Sequence, residues 1–131
     1  MPSPRPCPFC TLPFHRILGE NNHAIWIRDG FPVSPGHSLV IPKRHMGSFF
    51  EATDHERDAL LGLLDIAKAA AESEFHPAGY NIGINDGAAA GQTVPHLHIH
   101  LIPRYEGDLE DPRGGVRWIM PSKADYWSNR D

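Results

Sequence analysis

The chain reads as an α+β domain in which an antiparallel sheet of about five strands is covered on one face by one long helix. Short stretches of alternating apolar and polar residues at 14–29, 37–41, 80–86 and 94–104 predict the strands. A single stretch with apolar residues three and four apart, between Thr53 and Phe75, predicts the helix. Glycine, proline and asparagine separate these stretches, as turns require.

Taken in order, Phe14 and Ile17 followed by Ala24 to Ile27 form two apolar runs broken at Gly19-Glu20-Asn21-Asn22, which predicts a hairpin. Phe31 to Gly36 is a loop, and His37 to Ile41 is a third strand stopped by Pro42. Thr53-Asp-His-Glu56 fits the capping box, with Thr53 accepting from a free helix amide and Glu56 reaching back. Leu60, Leu63, Leu64, Ala67, Ala70, Ala71 and Phe75 then make one stripe that packs on the sheet more readily than it forms a dimer seam; Pro77 and Gly79 end the helix. Tyr80 to Asp86 and Val94 to Arg104 are two strands expected to pair antiparallel across the turn Gly87 to Gly91.

At 131 residues the chain suits one domain, residues 1–131, with 1–6 as a flexible proline-rich arm and 106–131 as a C-terminal extension packing on it. The net charge of −4 leaves no basic field for a polynucleotide. No apolar run approaches the roughly 20 residues that cross a bilayer, and the first ten residues lack the apolar core of a signal peptide, so the expectation is a cytoplasmic protein without a membrane partner.

Chemistry concentrates in nine histidines and two cysteines. His15, His23, His55 and His76 read as surface residues. On a strand, His96, His98 and His100 would share one face at intervals of about 6.5 Å, too far apart for one undistorted tetrahedral ion but close enough to serve one site. Cys7-Pro-Phe-Cys10 is half of a zinc site or a free dithiol; His45 and His96 are the best-placed missing ligands. His98, central in its row, can attack phosphorus and split one displacement into two, while Gly87 to Thr93 can offer backbone amides, the Gln92 amide and the Thr93 hydroxyl to an anion. A plain metal chelate through the three histidines is an equal alternative on chemistry alone.

His96-Leu-His98-Ile-His100-Leu-Ile, preceded by Ala90-Gly91-Gln92-Thr93-Val94, resembles the signature of the histidine-triad (HIT) family. The resemblance runs from about residue 7 to 105, through Asp29, Pro35-Gly36-His37, Ile41-Pro-Lys-Arg-His45, Gly79 to Gly87 and Ile102-Pro-Arg-Tyr105. It implies a HIT-like fold, paired as a homodimer, and a nucleotide hydrolase acting at the α-phosphate of dinucleoside polyphosphates or nucleoside phosphoramidates. The alternatives it leaves are a dinucleoside polyphosphate phosphorylase or nucleotidyl transferase, and a nucleotide- and zinc-binding interaction protein with incidental hydrolysis.

By the same resemblance His98 is the nucleophile, forming a nucleotidyl-histidine. His100 and His37 support it, and Gln92 with Thr93 contacts phosphate and leaving group. Asn85 and Gly91 match the other phosphate-side positions, Asp29 the ribose contact, and Phe9, Leu12 and Ile27 the walls of a base slot for which a purine is expected. The N-terminal Cys-x-x-Cys is similar to that of the zinc-containing bacterial-type branch, which implies a structural zinc held by Cys7, Cys10, His45 and His96 and no cofactor for the chemistry itself. Ile102-Pro-Arg-Tyr105 departs from the Gly-Gly-Arg turn of the phosphoramidase branch and lies closer to the dinucleoside-polyphosphate-hydrolase side. Arg113 and Arg117 could reach outer phosphates of a longer substrate or make exposed salt bridges.

Overall fold

A computed structural model describes residues 7–128. The arm expected over 1–6 lies outside the described residues. The strands are β1 (Ile17–Glu20), β2 (Ala24–Arg28), β3 (Ser38–Pro42), β4 (Gly79–Gly83) and β5 (Ile99–Arg104). They form one antiparallel sheet in the order β1-β2-β3-β5-β4. The long helix α1 (Asp54–Phe75) crosses β2, β3 and β5, and a short helix α2 (Pro121–Ala124) lies near the C-terminus. No helix among the described residues is long and apolar enough to cross a membrane.

The sheet is covered on both faces at its centre, which is why β2 and β3 are buried along nearly their whole length. Ala24, Trp26, Val40, Leu97, Ile99 and Leu101 meet Leu60, Leu63 and Ala67 of α1 on one face. On the other, Ile25, Ile27, Leu39 and Ile41 are covered by Phe9, Leu12 and Ile17 from the N-terminal segment. His100 stands opposite Leu39 in the β3–β5 ladder, so it projects on this second face, away from the helix.

Local chemistry fixes the ends. Asn21 accepts from the amides of His23 and Ala24 and donates to the Ala59 carbonyl at 2.9 Å, tying the first hairpin to α1. Phe14–Arg16 is a 3₁₀ turn, so the first strand begins later than its apolar pattern implies, and a bulge between Ile17 and Gly19 follows. Both arms of the capping box form at Thr53 and Glu56, at 3.1 and 2.9 Å. The Glu56 carboxylate also takes two hydrogen bonds from Arg44, each 2.9 Å. His76 closes α1 in the left-handed region at φ 53°, and Pro77 prevents continuation. His15, His23, His55 and His76 are all exposed.

The expected histidine strand is shorter at its start. Ladder pairing begins at Ile99, because Pro95 has no amide and the Leu97 amide is bonded to the Met46 carbonyl at 2.7 Å. Alternation persists without the ladder: Leu97 and Ile99 enter the helix-side core while the histidines point away. β4 likewise ends at Gly83, short of Asp86, whose carboxylate instead holds the Ser48 hydroxyl and the Phe49 amide, both at 3.0 Å.

Arg44 and the cap hold the Glu56 carboxyl at about 2, down from its ordinary 4.5. A depressed carboxylate stabilises the fold fully above its unfolded value and loses that contribution as pH falls through the folded one. Glu56→Ala should therefore cost about 2 kcal/mol in urea unfolding at pH 7, with the gap from wild type closing between about pH 4.5 and 2. A gap independent of pH would contradict this.

Candidate active site and metal centre

The Cys7–Cys10 turn, closed by a 3.1 Å bond from the Cys10 amide to the Cys7 carbonyl, faces two histidines from distant parts of the chain. His45 follows β3, and fully buried His96 precedes β5. His96 Nδ1 lies 3.3 Å from Cys7 Sγ, 3.5 Å from Cys10 Sγ and 3.2 Å from His45 Nδ1, and Cys10 Sγ lies 3.2 Å from His45 Nδ1. All four donor atoms fall within 4.8 Å of one another. Ordinary zinc–nitrogen and zinc–sulfur bond lengths give tetrahedral edges of about 3.3 to 3.8 Å, so this donor set fits one tetrahedral ion. The Pro42 carbonyl, 2.8 Å from His96 Nε2, can only accept; the proton therefore sits on Nε2, and Nδ1 presents its lone pair to the cluster. Burial lowers the His96 pKa, which keeps the ring neutral as a ligand must be.

The same reasoning fixes the other rings. His98 Nδ1 lies 2.9 Å from the His96 carbonyl and must donate to it, which leaves Nε2 bare. The Val33 amide donates to His37 Nδ1 at 3.1 Å, so the His37 proton is on Nε2, 2.9 Å from His100 Nδ1 and 3.3 Å from Asp29 Oδ2. Accepting that proton puts the His100 hydrogen on Nε2. Burial lowers the pKa of both His37 and His100, and Asp29 only partly opposes the effect at His37. Asp29, His37 and His100 lie close enough to suggest a metal triad, yet 2.9 Å between ring nitrogens is a hydrogen bond rather than a coordination edge.

His37 is placed by the turn before it. Gly36 has φ +87°, and a Cβ there would sit 2.9 Å from the Phe75 ring, so both the backbone and the end of α1 require glycine.

A cleft of about 520 Å³ opens over these rings. His98, His100, Asn85, Gly91 and Thr93 line it together with Phe9, Leu39, Phe31, Asp29 and Arg16. The Phe9 ring stands edge-on to both His96 and His98, with centroids 5.9 and 5.2 Å away. His98 and His100 centroids are 5.1 Å apart. Asp29 also accepts from the Phe31 amide at 2.7 Å. Gly91 adopts φ +95° at the end of a 3₁₀ turn.

Three expected residues are placed differently. Gln92 does not line the cleft: its oxygen accepts from the Gly87 amide at 2.8 Å, and its nitrogen donates to the Gly47 and Val94 carbonyls at 2.9 and 3.1 Å. Ile27 is fully buried in the sheet, and Leu12 packs against that cluster beneath the cleft. Of the two tail arginines, Arg113 makes the exposed salt bridge that was its alternative role, and Arg117 is held by backbone carbonyls. Arg113 forks onto Asp111 and stacks over Trp127, and Arg117 donates to the Ala124 and Lys123 carbonyls. Arg16 and Leu39 line the cleft without having been expected. Leu39, two residues after His37 on the same strand face, was recoverable from period two; nothing in the sequence marks Arg16.

Comparison with known proteins agrees with this architecture. A zinc-bound histidine triad family protein from Mycobacterium smegmatis superposes with a TM-score of 0.63 at 41% identity, covering 70% of this chain and 67% of that one. The asymmetrical bis(5'-nucleosyl)-tetraphosphatase of Schizosaccharomyces pombe is 41% identical over 61% of this chain and 44% of its own. The AP-4-A phosphorylase of Mycobacterium tuberculosis is 35% identical over 60% and 40%, respectively. Residues 14–107 match the HIT domain, and with the histidine row and five-stranded sheet already described, the chain belongs to the HIT domain family.

Proposed function

We propose that this protein is a nucleotide hydrolase that attacks the α-phosphate of a nucleoside phosphate derivative, a dinucleoside polyphosphate or a nucleoside phosphoramidate, with His98 as nucleophile. The observation that carries the reading is the bond from His98 Nδ1 to the His96 carbonyl, which leaves the Nε2 lone pair as the ring's reactive atom beside the cleft. Nε2 forms a bond to phosphorus as the bond to the leaving group breaks; a polyphosphate departs as its anion, and an amine takes its proton from solvent water. Water then cleaves the phosphorus–nitrogen bond, releasing a nucleoside monophosphate and restoring the imidazole.

The surrounding groups suit a pentavalent phosphoryl centre. His100 Nε2–H is oriented by His37 to donate to a phosphate oxygen; Gly91, Thr93 and Asn85 add the rest of the anion site. Asp29 takes the ribose hydroxyls, and Phe9 with Leu39 flanks a purine base. Leu12 and Ile27 support that wall from below, and Gln92 acts by holding the Gly87–Val94 turn. Cys7, Cys10, His45 and His96 hold a structural zinc, as in the N-terminal Cys-x-x-Cys branch, and the chemistry needs no metal of its own. Residues 1–131 act as one HIT domain with 106–131 as an extension, and two copies pair as a homodimer.

A phosphorylase is the second reading, favoured by the Mycobacterium tuberculosis relative. It differs only in what attacks the nucleotidyl-histidine.

His98→Ala should lower turnover of adenosine and guanosine phosphoramidates and dinucleoside tetraphosphates by at least about 10³-fold while monophosphate binding is kept. Wild-type rates in that variant would refute the nucleophile. Product analysis of a dinucleoside tetraphosphate with labelled inorganic phosphate present should show unlabelled monophosphate and the departing triphosphate; nucleoside diphosphate carrying the label would establish the phosphorylase instead. Elemental analysis of protein purified without chelator should find one zinc per chain, and Cys10→Ser should release it and lower the melting temperature. A metal-free, fully stable protein would remove zinc from the assignment.

A further inference from the structure

Among the described residues Arg16 is the one lysine or arginine that lines the cleft. It stands in the 3₁₀ turn before β1, and its Nη2 donates to the Arg28 carbonyl at 2.9 Å, which anchors the guanidinium against the end of β2. That bond is the side chain's one hydrogen bond among the described residues, and no carboxylate there lies within ion-pair distance. Nε and Nη1 remain to serve a ligand. The neighbour that could cover the group is Gly30: a Cβ built there would meet Arg16 Nη2 at 3.7 Å and nothing else within 4 Å. Glycine at 30 thus leaves one side of an anchored guanidinium open.

The company this group keeps decides what it reads. Phe9 and Leu39 line the same cleft and belong, with Arg16's chain neighbour Ile17, to one apolar cluster whose surface suits the face of a base, while the anion-binding turn and the nucleophile come from other segments. An arginine fork carries donors only and cannot lose its proton. Guanine offers two adjacent acceptors, N7 and O6, whereas adenine offers N7 beside an amino donor that repels a second N–H.

We propose that Arg16 is a specificity-determining residue that reads the acceptor edge of a 6-oxopurine, making this protein prefer guanine over adenine nucleotides. The inference rests on the nucleotide reading given above. General attraction of the cation for phosphate acts on both nucleotides alike, so the ratio of their affinities isolates the base contact.

Calorimetric titration of the wild-type protein with GMP, IMP and AMP tests it. GMP and IMP should bind about tenfold more tightly than AMP. Arg16→Ala should make the three affinities equal, beyond any common loss from the missing charge, and Arg16→Lys, which keeps the charge but not the fork, should lose most of the preference. Melting curves identify a variant that fails to fold, and the wild-type ratios stand without any variant. AMP binding as tightly as GMP, IMP siding with AMP, or equal weakening of all three in Arg16→Ala would overturn the proposal while leaving the nucleotide reading intact. Absence of binding by every monophosphate would overturn both.

Discussion

His96 is the residue on which the site depends, because it is held at three points at once. Its Nδ1 belongs to the Cys7–Cys10–His45 cluster, its Nε2–H is taken by the Pro42 carbonyl at the end of β3, and its own carbonyl receives the His98 proton. A ring with both nitrogens committed has little freedom to rotate, and the backbone carbonyl that holds the His98 ring inherits that restraint. Phe9, between the two cysteines, touches both His96 and His98, so the N-terminal turn is joined to the histidine row by packing as well as through the Cys–His cluster.

A second restraint comes from the other end of the domain. Phe75 closes α1 against Gly36, and the turn so formed sets His37, which in turn fixes the tautomer of His100. Helix packing and imidazole chemistry are therefore linked through one glycine with positive φ. The lowered pKa of His37 and His100 comes from the cleft wall: His37 is buried and His100 half-buried there, and one Asp29 carboxylate does not offset that desolvation.

Much of this architecture was legible because it is periodic or locally bonded. Period two marks β2, β3 and the histidine row, and the spacing of Thr53 and Glu56 marks the start of α1. Where the reading fell short, the deciding interaction was non-local. β5 begins at Ile99 because Leu97 bonds to Met46, about fifty residues earlier in the chain, which no pattern within 94–104 encodes. Leu12 and Ile27 look like any other apolar neighbours of Phe9; sheet register decides which is wall and which is floor. Gln92 is chemically suited to an anion, but its side chain is spent on backbone: the oxygen accepts from Gly87, and the nitrogen donates to Val94 and to the distant Gly47. Arg16 is a lone cation near a hairpin until Gly30 and Arg28 are brought beside it.

The Gln92 brace has a thermodynamic corollary. A loop that must be ordered by its ligand takes the entropy of that ordering out of the affinity. Here Gly87, Gly47 and Val94 are already stitched together by one side chain, and the left-handed Gly91 is set before any anion arrives. A turn already braced at three points has less order left to acquire, so less of any ligand's binding energy would go into arranging it.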